Sequence, residues 1–252
     1  IKSFENFINK LPFYGTAIIC YDDENLKFLI KKIKTRKIIT YSIKSKKADV
    51  YIYDIVKNAK NSSFKLKVNK NKLISDDKFK FTINSIGNHN ILNGAASVIA
   101  SKLVGINNNK INKALKNYIG VNRRFTFLGK KNYSKIYDDY AHHPTEIYAT
   151  LEAAKILKTK LVVIFQPHRY SRSKILMNEF VRVFSKTNYL IILNTYAAGE
   201  KKIIGATSKD MYLNILKKNK NVIYLKNLNK LDIILHKHLN KKNTIIFMGA
   251  GS

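Results

Sequence analysis

The strongest constraint on how this chain folds is a rhythm that begins after Arg124. Strand-forming runs at 135–139, 160–166, 189–194, 222–225 and 244–248 alternate with stretches of helical spacing. Strands separated by helices in this way predict a parallel, doubly wound sheet. The residues before it follow another pattern. Apolar or β-rich runs at 15–22, 38–43, 50–56 and 64–68 come first, with a hairpin-like turn expected at 75–77. Helical spacing then covers 91–104 and 109–118 and stops near Gly120. The change of rhythm puts a domain boundary near 120–123.

A chain of 252 residues with 45% apolar content can bury one large interior or two ordinary ones. It contains no apolar run of 18 residues and no charged-then-apolar leader, so a soluble, cytoplasmic protein is expected. Cys20 is the one cysteine; it excludes an internal disulfide framework and is expected as a small buried hydrophobe. The chain opens on Ile1 in place of Met and closes at 249–252 in a glycine turn, so the expectation is a portion of a longer protein.

The formal charge of +31 would suit a polyanion partner. The lysines, however, are scattered through every segment beside Asn and Ile, and no basic stretch is interleaved with aromatics. Solvated surface is the expected reading, with neither nucleic acid nor membrane as a partner, although such a field attracts anionic substrates. The six arginines say more, because almost every other cation is Lys. Arg123, Arg124, Arg169 and Arg172 are expected to recognise anions, since a planar guanidinium grips carboxylate or phosphate through two parallel hydrogen bonds. Arg36 and Arg182 are expected to face solvent.

In a doubly wound sheet, ligands gather beyond the carboxyl ends of the strands. Two polar clusters fall there. Asp138-Asp139-Tyr140-Ala141-His142-His143-Pro144-Thr145-Glu146 runs from a strand into a helix that Pro144 is suited to begin. Phe165-Gln166-Pro167-His168-Arg169-Tyr170-Ser171-Arg172-Ser173 does the same one unit later. A helix starting near Ser171 would let Arg169 and Arg172 converge on one anion, helped by free backbone N–H groups. Helix capping and surface ion pairs explain the same residues individually. Asp-Asp with His-His is also a metal-donor set, but neighbours on a strand point to opposite faces, so no metal site is assigned. In a third cluster, Gly87-Asn88-His89-Asn90-Ile91-Leu92-Asn93, Asn90 and Asn93 share a helix face. Their amides suit the edge of an adenine ring, and a plain N-cap accounts equally for Asn90.

The motifs D-D-Y-A-H-H-P-T-E, F-Q-P-H-R-Y-S-R, Y-A-A-G-E, G-N-H-N-I-L-N and N-R-R-F, with L-P-F-Y-G before them and M-G-A-G after, resemble the Mur ligase family over essentially the whole chain. Q-P-H-R-Y-S-R favours its alanine-adding members over the relative that recycles a tripeptide. The resemblance implies an α/β fold: the C-terminal portion of a central ATPase domain over 1–121, a mixed sheet with helices, then a Rossmann-like C-terminal domain over 122–252 whose last helix is missing. It implies an ATP-dependent amide bond between L-alanine and the carboxylate of UDP-N-acetylmuramate, formed through an acyl phosphate. Asn90, Asn93, Arg124 and Asp139 are then similar to residues that hold ATP, with Asp139 either at the ribose or at the hinge side. Tyr140, His142, Arg169 and Arg172 match positions around the amino acid and the reacting carboxylate, and His142 and Arg124 carry the catalytic expectation. No G-x-x-x-x-G-K-[ST] loop occurs in the 252 residues. The phosphate cradle, the ligands for Mg²⁺ and the UDP-binding domain are therefore expected elsewhere, and the chain alone is expected to be inactive. An inactive remnant serving as a binding module is the other reading that the residues leave open, and a nucleic-acid-binding protein is a third.

Overall fold

A computed structural model describes residues 1–33, 37–69, 74, 78–239 and 241–251. The turn expected at 75–77 and Arg36 lie outside the described residues. The chain forms two compact units, 1–119 and 120–252.

The first unit runs α1 (Lys2–Asn9), β1 (Thr16–Cys20), α2 (Glu24–Lys32), β2 (Lys37–Ser42), β3 (Val50–Lys57), β4 (Ser62–Val68), β5 (Lys80–Ile83), α3 (Asn88–Leu103) and α4 (Asn108–Asn117). Its sheet has the order β1-β2-β3-β4-β5, parallel from β1 to β3 and antiparallel from β3 to β5. Helices α1 and α2 were not expected from the sequence. Asp23 starts α2 by accepting the Leu26 N–H at 3.0 Å, and its buried Leu29 joins Ala17 and Ile19 of β1. Cys20 is half-buried rather than buried, and burial raises its thiol above the ordinary range.

Helix α3 covers the other side of this sheet. Ile91, Ala95, Val98 and Ile99 are fully buried against Ile52, Phe64 and Phe81. Gly94 permits the close approach, because a Cβ there would stand 3.2 Å from Ile83 and 3.5 Å from Phe64. Asn107 caps α4 by accepting the Lys110 N–H, and Asn112 ties α4 to β5 by accepting the Thr82 N–H at 2.8 Å. These two helices frame the first candidate cleft.

The second unit runs β6 (Thr126–Lys131), β7 (Ser134–Asp139), α5 (Pro144–Ala154), β8 (Lys160–Phe165), α6 (Tyr170–Ile175), α7 (Met177–Phe184), β9 (Tyr189–Leu193), α8 (Ser208–Leu216), β10 (Val222–Leu225), α9 (Leu231–Leu239) and β11 (Asn243–Met248). The strand order is β10-β9-β8-β11-β7-β6, parallel throughout except for β6. Alternation along β8 divides the interior: Leu161, Val163 and Phe165 pack under α5, α7 and α8, whereas Val162 and Ile164 face α9. The sheet is therefore covered on both faces, as its nearly continuous apolar strands require. β6 is an unexpected antiparallel edge, turned back through Asn132 at φ 52°.

Register fixes the functional edge. Met248 of β11 lies opposite both Asp139 of β7 and Phe165 of β8, so the three following loops leave the sheet at one level. Gly249 lets two of them meet, since its φ is 155° and a Cβ would approach the Gln166 carbonyl oxygen to 3.0 Å. Among the described residues no helix is long and apolar enough to cross a membrane.

The rings of Phe165, Phe180 and Phe184, packed at tilted angles with centroids 5.0 and 5.6 Å from that of Phe165, are all at most 1% exposed. Phe184→Ala is expected to cost about 3–5 kcal/mol, the usual penalty for emptying an aromatic core position. Urea unfolding of the variant, compared with wild type, measures it.

Candidate functional site

In the second unit, the loop after β7 is built around Asp139. Its carboxylate is 3% exposed and accepts the Ala141 N–H at 2.7 Å, the Phe125 N–H at 2.9 Å and the Thr150 hydroxyl at 3.0 Å. Burial holds this carboxyl above the usual carboxylate range, opposed by those three donors and by Arg124. These three bonds join the strand, the following helix and the segment entering the unit.

The next residues face outward. Tyr140 and His142 meet edge-on with ring centroids 5.2 Å apart. The His142 Nδ1 lies 2.9 Å from the Tyr140 carbonyl oxygen, so that nitrogen carries the proton and donates. In the neutral ring that makes this bond, Nε2 carries the lone pair. Glu146 holds this turn from within the helix: it accepts the N–H groups of His142 and His143 at 3.1 and 3.3 Å, a capping box on α5. The same carboxylate lies 3.5 Å from Arg124 and 3.5 Å from His142 Nδ1. Burial alone would raise the Glu146 carboxyl, but the His142 N–H and ring, the His143 N–H and Arg124 hold it below the usual value.

Arg123 and Arg124 both lie near the Tyr140 ring, at 5.1 and 5.8 Å from its centroid. Their guanidiniums differ in use. Arg123 donates to Asp138 at 3.1 Å and to the carbonyls of Gly251 and Gly249 at 2.9 and 2.7 Å. It fastens the loop after β11, which corrects the expectation that it recognises an external anion. Arg124 is half exposed and, besides the Tyr140 ring, makes the longer Glu146 contact at 3.5 Å.

The loop after β8 supplies the rest. His168 lies 5.8 Å from His142, ring to ring, and stacks on Tyr196 at 5.4 Å. Arg172 donates to His168 Nδ1 and to the His168 carbonyl, both at 3.2 Å. Because a guanidinium only donates, His168 is the neutral Nε2–H tautomer. Burial, Arg172, His142 and Arg169 all push its pKa below the ordinary histidine value, with Glu200 pulling weakly upward. Arg169 is exposed at the start of α6, at φ 69°, where its N–H donates to the Tyr196 carbonyl. Tyr140, His142, His168, Arg169 and Arg172 are thus gathered on one rim. The expectation of free N–H groups at the start of α6 is corrected: the Ser171 N–H is taken by Glu200 at 2.9 Å and the Ser171 hydroxyl by the same carboxylate at 2.5 Å. Glu200 and Tyr196 lie in the Y-A-A-G-E motif, but spacing gives no sign of partners almost thirty residues away. Arg182 is exposed, as expected.

In the first unit, Asn90 and Asn93 line a cleft of ≈320 Å³ with Ser97, Ile111, Leu115 and Tyr118. Asn90 donates to the Ile86 carbonyl at 2.8 Å. Asn93 is exposed one helical turn further along. Apolar walls with two amides are what a flat heterocycle with a polar edge requires. Among the described residues no group of three or more His, Cys, Asp or Glu is placed to hold a metal ion.

Asp139→Ala is expected to lower stability by about 2–4 kcal/mol, because it strands buried donors; chemical unfolding checks it. For His168 the folded pKa lies below the unfolded value of about 6.5. Between those two values the unfolded chain binds the extra proton, so stability is complete above about pH 6.5 and falls as pH drops through the window. His238, lowered mainly by burial and then by Lys241 and Lys237, acts with the same sign. His168→Gln is therefore expected to flatten, but not abolish, the loss of thermal stability between about pH 7 and pH 5.

Two family models match the chain, the Mur ligase middle domain over residues 1–101 and the Mur ligase glutamate ligase domain over 123–251. The UDP-N-acetylmuramate–L-alanine ligase of Rickettsia typhi is 37% identical over 260 residues, covering all of this chain and 52% of the relative. That of Rickettsia bellii is also 37% identical and is covered over 54% of its length. The chain thus spans about half the length of the curated relatives it matches. Among solved structures, UDP-N-acetylmuramate-alanine ligase MurC from Thermotoga maritima superposes with a TM-score of 0.72 at 21% identity, over 93% of this chain and 48% of that one. MurF from Acinetobacter baumannii gives 0.76 at 15% identity, over 99% and 51%. MurF from Thermotoga maritima, solved with ADP, gives 0.70 at 17%, over 98% and 53%. At these identities the structures speak for the fold, and the family models, which between them cover both units, identify the chain as a member of the Mur ligase family.

Proposed function

We propose that this chain is the part of a UDP-N-acetylmuramate:L-alanine ligase that carries the adenine-binding amides and the amino-acid rim. The observation that carries this reading is the single rim holding Tyr140, His142, Arg169 and Arg172 beyond β7 and β8. The whole-chain similarity to curated alanine ligases supports the choice of substrate. On this reading, residues 1–121 are the C-terminal portion of the ATP-binding domain and residues 122–252 the Rossmann-like domain. The protein acts in the cytoplasm on ATP, L-alanine and UDP-N-acetylmuramate in peptidoglycan precursor synthesis.

A carboxylate is a poor electrophile. Transfer of the γ-phosphoryl group of ATP to the muramate carboxylate makes an acyl phosphate, with ADP leaving. The alanine nitrogen then attacks the acyl carbon through its lone pair, the tetrahedral intermediate collapses, and inorganic phosphate departs. The attacking amine must be neutral. His142 Nε2 is the lone pair available to take its proton, because Nδ1–H is committed to the Tyr140 carbonyl. Arg169 and Arg172 grip the alanine carboxylate, and that orientation contributes on the order of several kcal/mol. Arg124, turned by Glu146, meets phosphate charge. Asn90 and Asn93 hold the adenine edge. Among the described residues no group of three or more His, Cys, Asp or Glu is placed to hold Mg²⁺, and on this reading its ligands lie in the other part of the enzyme.

Two substitutions in the ligase complete with its phosphate loop separate these roles. Arg169→Lys is expected to raise the KM for L-alanine by about tenfold or more and to leave that for ATP within about twofold, since an ammonium loses the bidentate grip. Asn93→Ala is expected to do the reverse. Steady-state phosphate release against each substrate measures both, and an unchanged alanine KM in Arg169→Lys removes that residue from the role.

A further inference from the structure

Resting on the reading that the second unit binds the amino acid, we propose that Glu200 is a positioning residue, an internal anion that caps α6 and holds Arg169 and Arg172 toward the substrate carboxylate. The argument starts from the length of α6. Six residues make less than two turns, and a helix that short has no stability of its own in water. Two residues that matter for anion recognition nevertheless sit at its start, so something outside the helix must fix it.

The segment between β9 and α8 does so through contacts of several kinds. The Tyr196 N–H donates to the Pro167 carbonyl at 2.8 Å, and the Arg169 N–H returns a bond to the Tyr196 carbonyl at 2.9 Å. The Tyr196 ring lies on His168 at an interplanar angle of 22°. Lys174, at the end of α6, donates to the Ile204 carbonyl at 3.1 Å. Glu200 completes the clamp on Ser171, the residue between the two arginines, through both its N–H and its hydroxyl. Ala198 at φ 51° and Gly199 at φ 83° turn the chain so that this carboxylate reaches back. An alanine in the left-handed region is unfavourable, and the clamp is what the turn achieves.

The position of the carboxylate gives the clamp a chemical consequence. The N–H groups at the start of a helix are where an incoming anion would otherwise bind. With Glu200 already there, a substrate carboxylate is left to the guanidinium forks alone. Arg169 lies within electrostatic reach of Glu200, and the Ser171 hydroxyl and N–H hold the Glu200 carboxyl below the ordinary range, so it stays an anion at neutral pH. Glu200 therefore orients the pair and excludes the competing anion position without touching the amino acid.

Two measurements on residues 1–252 test this. The first is amide hydrogen exchange at Ser171, where Glu200→Ala is expected to speed exchange by at least about tenfold and Glu200→Gln, which keeps one acceptor, by less. The second is titration with L-alanine, followed by the side-chain Nε–H signals of Arg169 and Arg172. Wild type is expected to give saturable shifts, and Glu200→Gln about tenfold weaker binding. If Ser171 exchanges at the wild-type rate in both variants, Glu200 does not fix the helix and the inference is wrong. Wild-type affinity for L-alanine in a variant whose Ser171 is deprotected also overturns it, because the arginines then need no such support. Should wild type itself show no alanine response while the exchange effect appears, the amino-acid reading falls and the clamp on the arginine-bearing helix stands.

Discussion

The rim depends on one buried carboxylate held by three donors of the protein. Asp139 gathers a donor from the segment entering the second unit, a donor from the loop after its own strand and a hydroxyl from the next helix, all while 3% exposed. Taking a carboxylate out of water is unfavourable unless its lone pairs are filled. Once they are filled, breaking any one bond is costly, and this makes the junction rigid. Tyr140 and His142 project from a point that has no freedom to drift.

The same device recurs twice along the rim. Glu146 closes the turn at His142 and His143 and reaches Arg124, and Glu200 closes the start of α6. In a chain with 16 acids against 47 bases, these three carboxylates are spent on protein donors. On the proposed reading, Arg124, which Glu146 touches at 3.5 Å, and the exposed Arg169 are left to meet the anions of the reaction. Preorganisation of this kind is what catalysis by orientation and charge requires, since donors that are already aimed need no rearrangement as the reaction proceeds. Arg123 shows the complementary case, an arginine consumed by structure: its fork goes to Asp138 and two carbonyls of the loop after β11.

The doubly wound sheet was legible in the sequence because its strands are apolar on both faces, as Leu161 to Phe165 illustrate, and because helices of ordinary length separate them. β6 was not legible. It is an edge strand with Phe127 and Leu128 largely exposed, so burial left no alternation to read. α1 escaped for a related reason, since only Ile8 of its apolar residues is buried. The rim residues Tyr140, His142, Arg169 and Arg172 could be named from motif and position at strand ends. Glu146 was legible only as a member of a cluster for which capping and ion pairing were both open; its place in a capping box on His143 emerges from the fold. What Asp139 and Glu200 do was not visible, because their partners are backbone N–H groups and hydroxyls brought together only by the fold. A carboxylate beside a histidine reads as a ligand until its hydrogen bonds are counted.

The most direct measurement is a crystal structure of this chain with L-alanine bound. The account predicts the amino-acid carboxylate within about 3 Å of the guanidiniums of both Arg169 and Arg172, the amine directed toward His142 Nε2, and Glu200 still on Ser171. An alanine carboxylate seated on the Ser171 N–H, with Glu200 displaced, would contradict it.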